Sequence, residues 1–168
     1  MIEVVIGNII ALLASFFMVL AGCINNKKGV LSVQTIQLIL LTVSTFILGG
    51  YAGTIINALS VGRNILCYKE RFNLNWRIVF SALSIVIPLW VDNLSLIGVL
   101  PIISSLLYIW FINEKDMVKI KWLLIVTALL WFIYDILIQS YTSAIFNFLC
   151  AILALVTLIK LLYKKGLK

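Results

Sequence analysis

The chain has 168 residues, of which 64% are hydrophobic and only 11% are charged, and its net charge is +7. A soluble domain carries about 25% charged residues, so this composition excludes a soluble globular protein and indicates a chain solvated by the lipid bilayer. The basic residues stand in short segments between apolar runs, which argues against a nucleic-acid partner. The sequence has no histidine and three scattered cysteines without CxxC spacing, so we expect no metal site, no cofactor and no enzymatic activity.

The apolar runs predict an all-α, polytopic membrane protein, because about 20 apolar residues cross a bilayer as a helix. Seven runs fill the chain and leave no room for a soluble domain, so residues 1–168 form a single membrane domain. The break at Gly49 and Gly50 and the short fourth run with Pro88 are the weakest features, and six spans remain the alternative. The expected spans are Val4–Ile24, Leu31–Leu48, Tyr51–Tyr68, Arg77–Val91, Leu94–Ile112, Ile120–Ile138 and Tyr141–Leu162.

The positions of the basic residues favour seven spans. All 13 lysines and arginines fall within residues 27–28, 63–77, 115–121 and 160–168. Seven spans place these four groups on one side of the membrane, whereas six would divide them between two sides. The positive-inside rule then predicts a cytoplasmic C-terminus and an N-terminus on the outer side, where Glu3 and Asp92 lie.

An internal repeat relates the third and seventh runs at an offset of 90 residues. YAGTIIN begins at Tyr51 and YTSAIFN begins at Tyr141, so that Asn57 matches Asn147. Each run also carries a stripe of small or polar residues at helical spacing. In the third run the stripe is Gly53, Asn57, Ser60 and Asn64. In the seventh run it is Ser143, Asn147, Cys150 and Ala154. The repeat predicts two parallel triple-helix bundles, residues 1–72 and 94–168, joined by a linker helix within 73–93. Transporters with parallel repeats bind substrate near the midplane between them.

Three segments resemble the YgjV family of bacterial inner-membrane proteins. They are LGGYAGTIINALSVGRN from Leu48 to Asn64, LPIISSLLYIW from Leu100 to Trp110, and WFIYD…FN from Trp131 to Asn147. The resemblance covers most of the chain and implies a location in the bacterial inner membrane.

A more distant resemblance is to the SWEET and PQ-loop transporter superfamily. It implies a 3-1-3 arrangement of helices with an asparagine near the substrate on the third helix of each bundle, where Asn57 and Asn147 stand. Trp131 and Tyr134, followed by Asn147, are similar to the pattern of the second bundle. The Pro-Gln pair is absent, because Ile102 follows Pro101 and the first run has no proline. The departure puts proline-hinged gating of the first bundle in doubt.

The candidate binding residues each have a structural and a functional interpretation. Asn57 and Asn147 either join helices by hydrogen bonds or face a central cavity and bind a polar solute, and the matched positions favour the second. Ser60 lies on the same stripe as Asn57, and Trp131 is a candidate cavity wall. Tyr51 and Tyr141 start their helices, where tyrosine commonly marks the membrane interface; an outer gate is the alternative.

Two charged residues in the predicted spans are candidates for coupling or gating. Asp135 is the only carboxylate inside a predicted span, so proton coupling is a default hypothesis, although water can reach it if it lies near the helix end. Arg63 lies near the cytoplasmic end of its helix, where we expect its side chain to extend to the lipid headgroups. A cytoplasmic gate or a contact with an anionic solute is the alternative for Arg63.

The sequence as a whole predicts a transporter for a small polar solute, working by alternating access between the two repeats. An uncharged or zwitterionic solute fits the asparagine pair better than a strong anion. The alternative is a non-transporting membrane subunit or receptor that binds a partner protein, in which the polar residues hold the helices together. Beyond the bilayer and the solute, assembly into a homo-oligomer stays open.

Overall fold

The computed structural model describes residues 2–23, 27–91, 96–111 and 116–166. This part of the chain is all-α and contains seven helices and no strand. The helices are α1 (Ile2–Cys23), α2 (Lys27–Ile47), α3 (Tyr51–Tyr68), α4 (Leu74–Val91), α5 (Leu96–Phe111), α6 (Met117–Leu137) and α7 (Tyr141–Gly166).

Five of these helices are long and apolar enough to cross a membrane, namely α1, α2, α4, α6 and α7. Helix α5 is apolar but has only 16 residues. Helix α3 has 18 residues and interrupts its apolar surface with several polar side chains, which lowers its mean hydropathy.

Several helices extend beyond the apolar runs that predicted them. Helix α2 begins at Lys27 rather than Leu31, and α4 begins at Leu74 rather than Arg77. Helix α6 begins at Met117 because Asp116 caps it, its carboxylate accepting a hydrogen bond from the Val118 amide at 2.9 Å. Backbone hydrogen bonding needs no apolar side chain, so helices continue into the flanking polar residues. The expected ends Ile24, Leu94 and Ile112 lie outside the described residues.

The α2–α3 and α6–α7 turns have the same backbone structure. Gly49 (φ 74°) and Gln139 (φ 61°) adopt the left-handed conformation. The following amides, Gly50 N and Ser140 N, donate to the carbonyls five residues back at 2.8 and 2.7 Å, and the amides of Gly49 and Gln139 donate to those three residues back at 3.1 Å. This is the Schellman motif, and it occurs twice at the 90-residue offset.

The helices form a closed circuit of contacts. Within the described residues α1 packs on α2, α2 on α3, α3 on α5, α5 on α6, α6 on α7 and α7 on α1, while α4 lies against both α3 and α5. We call α1–α2–α3 the first triplet and α5–α6–α7 the second. The middle helix of each triplet contacts its two neighbours, but α1 and α3 do not approach each other closely, nor do α5 and α7. Each triplet is therefore a row of three helices with its second helix in the middle.

Large apolar side chains cover the outside of the molecule, whereas small and polar side chains make up much of its interior. Trp90 is 82% exposed and Leu153 is 66% exposed. In contrast, Ala11, Ala14 and Ser44 are fully buried. This distribution suits a lipid solvent, in which close packing of small residues and interhelical hydrogen bonds hold helices together.

Candidate functional site

The polar stripe of α3 is buried along its whole length. Gly53, Asn57, Ser60 and Asn64 all lie inside the molecule, so the face that the sequence predicted to point inward does so. The matching stripe of α7 is less enclosed, since Ser143 and Ala154 are buried but Asn147 and Cys150 are only half-buried.

Asn57 is 2% exposed, yet its side-chain nitrogen Nδ2 has no hydrogen-bond acceptor among the described residues. A buried amide donor without a partner costs about 1–3 kcal/mol. The side chain therefore presents an unused donor in the interior of the protein.

Asn147, which matches Asn57 at the 90-residue offset, is hydrogen-bonded to a carboxylate on the neighbouring helix. Its Nδ2 donates to Oδ2 of Asp135 at 2.8 Å. Asp135 is only 2% exposed, so the carboxylate is deep in the packing between α6 and α7 rather than in water. The structure thus brings Asp135 and Asn147 together, but it places no hydrogen bond between Asn147 and Asn57.

A tyrosine of α6 fills a glycine-lined notch at the start of α3. The backbone amide of Gly53 donates to the Tyr134 hydroxyl oxygen at 2.8 Å, and Tyr134 is 1% exposed. A Cβ atom on Gly50 or Gly53 would lie 2.6 Å from that oxygen, so only glycine allows this approach. The contact joins the second triplet to the first. Trp131 stacks edge-on against the Tyr134 ring with centroids 5.6 Å apart.

A second contact between the triplets is made by Asn8 of α1. Its Nδ2 donates to the Gln139 carbonyl at 2.8 Å, and its Oδ1 accepts from the Thr142 amide at 2.9 Å. One amide side chain thereby holds α1 to both sides of the α6–α7 turn.

A cavity of about 680 Å³ opens at the end of the molecule where the two matching turns lie. We call this end, defined by residues 48–50 and 138–140, the turn end. Both Gly49 and Gln139 line the cavity, together with Glu3 of α1 and Tyr51 of α3. Tyr134 lies one helical turn deeper in α6 than the lining residue Ile138, so the notch in α3 sits beneath the cavity.

The remaining predicted aromatic residues lie near the surface. Tyr51 and Tyr141 are exposed at the first positions of α3 and α7, and Trp131 is half-buried. Only Tyr51 of these three lines the cavity.

Arg63 turns inward, and the expectation that it extends to the headgroups is wrong. Its side chain is 6% exposed. The guanidinium lies over the ring of Tyr108 on α5, with 4.6 Å from Cζ to the ring centroid. The aromatic ring holds the cation at the α3–α5 contact.

Comparison with known protein families shows to which family the chain belongs. Residues 5–165 match the family model Imp-YgjV, described as a bacterial inner membrane protein. The chain belongs to the YgjV family. It is therefore a multi-pass protein of the bacterial inner membrane. Searches of curated proteins and of solved structures found no match.

Sequence reasoning on this YgjV-family chain missed three contributors to the site. Nothing in its helix distinguishes Tyr108 from the neighbouring apolar residues. Asn8 is a lone polar residue in an apolar run, and the motif with Trp131 does not show that Tyr134 contacts the first triplet. The signal for Tyr134 was the pair Gly50 and Gly53 at a helix start, where missing side chains make room for a large one.

Proposed function

We propose that this protein moves a small, polar, uncharged or zwitterionic solute across the inner membrane by alternating access. The observation that carries the proposal is the buried Asn57 amide, whose Nδ2 has no partner among the described residues. A purely structural asparagine in an apolar helix would bond to a neighbouring helix. A solute with a carbonyl or hydroxyl oxygen would supply the acceptor that Asn57 lacks.

The two asparagines lie at equal depths in the two repeats. Asn57 is six residues past Tyr51, and Asn147 is six residues past Tyr141, which is about 9 Å along each helix. We assign Asn57, Asn147 and Ser60 as solute-binding candidates and Trp131 as a wall of the site. We assign proton coupling to the Asp135 carboxylate, and its hydrogen bond with Asn147 supports this assignment.

The motion that we propose is a rocking of the α1–α2–α3 row against the α5–α6–α7 row. The rows meet where α1 contacts α7 and where α3 contacts α5. At the turn end, the Asn8 bonds and the Tyr134–Gly53 bond connect them, so these bonds break when that end opens. The positive-inside rule assigns the turn end to the outer side, which makes the cavity an outer vestibule and Tyr51 a candidate gate.

Uptake by purified protein in liposomes tests this function. A panel of radiolabelled sugars, amino acids and nucleosides identifies a transported solute. We expect Asn57→Ala and Asn147→Ala to lose most of that uptake. Ser84→Ala is the matched control, because it removes a buried hydroxyl that bonds to Ser105 at 3.3 Å away from the site. Uptake that survives in the Asn57→Ala/Asn147→Ala double variant would contradict the assigned site.

The second candidate is a non-transporting membrane subunit. The Asn147–Asp135 hydrogen bond favours it, because this bond joins α6 to α7 and can serve a purely structural purpose. This function predicts that no solute of the panel is taken up and that the wild-type protein co-purifies with one constant partner. Both asparagine variants would then lower the thermal stability without changing any flux.

A further inference from the structure

Arg63 is a buried cation with too few acceptors around it. It lies in the last part of α3, five residues before Tyr68. A guanidinium has five N–H donors, but the described residues offer it one acceptor, Asn64 Oδ1, at the long distance of 3.5 Å from a terminal nitrogen. Its Nε has no acceptor among those residues. The Tyr108 ring covers one face and leaves the N–H edge unsatisfied.

No carboxylate of the described residues pairs with this cation. Asp135 bonds to Asn147, and Glu70 pairs with Lys28 at 3.8 Å. Asp116 caps α6, and Glu3 lines the cavity at the turn end. A buried charge without a counter-charge is strongly unfavourable. The described residues therefore leave the positive charge of Arg63 without a carboxylate to balance it.

The residue next to Arg63 adds a second unused donor. Asn64 is 2% exposed and turns its Oδ1 towards Arg63, and its Nδ2 has no acceptor among the described residues. The two neighbouring side chains thus present N–H groups, and such a pair suits a negatively charged oxygen.

The repeat shows that the fold does not require this arrangement. At the 90-residue offset, Leu153 and Ala154 of α7 stand in place of Arg63 and Asn64. Leu153 is 66% exposed and apolar, so the second triplet packs without a buried cation at this level.

We propose that Arg63 and Asn64, backed by the Tyr108 ring, form a binding site for one oxyanion group, a carboxylate or a phosphate. A guanidinium binds both groups through two parallel hydrogen bonds. The exposed basic residues Lys69 and Arg71 follow in the chain and attract anions to this end of the molecule. The site involves α3 and α5 alone, so it stands whether or not the protein transports a solute.

Anion-dependent thermal stability tests the site on the full-length protein in detergent. Inorganic phosphate and acetate are the probes, titrated at constant ionic strength with chloride as the balancing ion. We expect both to raise the melting temperature of the wild-type protein to a plateau, because they bind only the folded form. Arg63→Gln should show no rise. Lys160→Gln, which removes one positive charge from an exposed position of α7, should respond like the wild type.

Arg63→Lys keeps the charge but loses the planar fork, so it should need at least about tenfold more anion for the same rise. If Arg63→Gln fails to fold, Arg63→Lys alone tests the proposal. An unchanged response in Arg63→Lys would then overturn the proposal, as would equal responses of the wild type and Arg63→Gln.

The source of the oxyanion is tested in lipid nanodiscs. If the phosphate of an anionic lipid occupies the site, phosphatidylglycerol will stabilise the wild type but not Arg63→Gln relative to pure phosphatidylcholine, whose phosphate charge is balanced by its own choline. Phosphatidylglycerol will then also suppress the response to soluble phosphate. If a soluble anion occupies it, the phosphate response will persist with either lipid. A wild-type protein that responds to none of these probes would refute the site.

Discussion

The two triplets have turns of the same backbone structure but differ in the hydrogen bonding of their interior side chains. The turns that join α2 to α3 and α6 to α7 repeat the same hydrogen bonds at the same offset. Yet the first triplet buries unpartnered N–H donors of Asn57, Arg63 and Asn64. In the second triplet the half-buried Asn147 is bonded to the buried Asp135, and the unpartnered buried groups are the hydroxyls of Ser140 and Ser143. The two turns thus have the same backbone geometry, whereas the side chains that face the interior bond differently in the two triplets.

This difference distinguishes two kinds of matched position: those that shape the turns and those whose side chains face the interior. Positions that close the turns are equivalent in both triplets, so their substitution should have comparable effects. Positions on the inward stripes are matched in sequence but not in bonding, so their substitution should have unequal effects. The following predictions compare matched positions of the two triplets.

The largest effect is expected at the notch of α3. Gly53→Ala would place a Cβ 2.6 Å from the Tyr134 ring, which is too close for a buried side chain that cannot move away. We expect a loss of about 2–3 kcal/mol in the free energy of unfolding, as for other overpacked sites, measured by denaturation in mixed micelles. Ser143→Ala at the matched position should change it by less than about 0.5 kcal/mol. Equal losses in the two variants would mean that the notch is not specific to the first triplet.

The next effect distinguishes the two asparagines. Asn147→Leu removes the donor that satisfies Asp135 and should cost about 1–2 kcal/mol of unfolding free energy. Asn57→Leu removes a donor that has no partner, so its stability should equal or exceed that of the wild type. Denaturation of both variants under identical conditions makes the comparison. A larger loss for Asn57→Leu would show that this amide is already bonded.

A smaller effect is expected from removing one hydroxyl. Tyr134→Phe keeps the ring but leaves the Gly53 amide without its acceptor, at a cost of about 1 kcal/mol. Hydrogen exchange at the Gly53 amide should accelerate. Ser44 stands at the matched position of the first triplet and donates to the Gly7 carbonyl at 2.8 Å. Ser44→Ala should leave exchange at Gly53 unchanged, and acceleration in both variants would indicate a general loosening instead.

The smallest effect is expected at the turns. Gln139 pays a steric cost for its left-handed conformation that Gly49 does not. Gln139→Gly should therefore stabilise the protein by about 0.5 kcal/mol, and Gly49→Ala should destabilise it by about 1 kcal/mol. Thermal unfolding measures both changes. Shifts of the same sign would contradict the structural equivalence of the two turns.

Much of the fold could be predicted because its causes are local. Apolar runs gave seven helices, and Gly49 with Gly50 marked a tight turn. The stripe of α3 predicted its buried face. The sequence also contains enough information to predict the Asp135–Asn147 contact. Both residues lie six positions from Tyr141, and residues equidistant from a tight turn between antiparallel helices lie at similar depth.

The remaining features depend on which helices meet, and helical periodicity carries no information on that. Tyr134 of α6 reaches Gly53 of α3 through its long side chain, although the two helices do not pack directly on each other. Asn8 reaches Thr142 only because α1 packs on α7. Arg63 was expected at the headgroups because of its place near a helix end. Tyr108 of α5 instead covers it inside the protein.

The Tyr134–Gly53 contact has a consequence for how the protein is made. The acceptor for an amide in the first turn of α3 comes from a residue 81 positions later in the chain. While the ribosome is still adding α4 and α5, the notch of α3 has no tyrosine to fill it. The first triplet can therefore enter the membrane early but reaches its final packing only after α6 has been synthesised, so the second triplet completes the folding of the first.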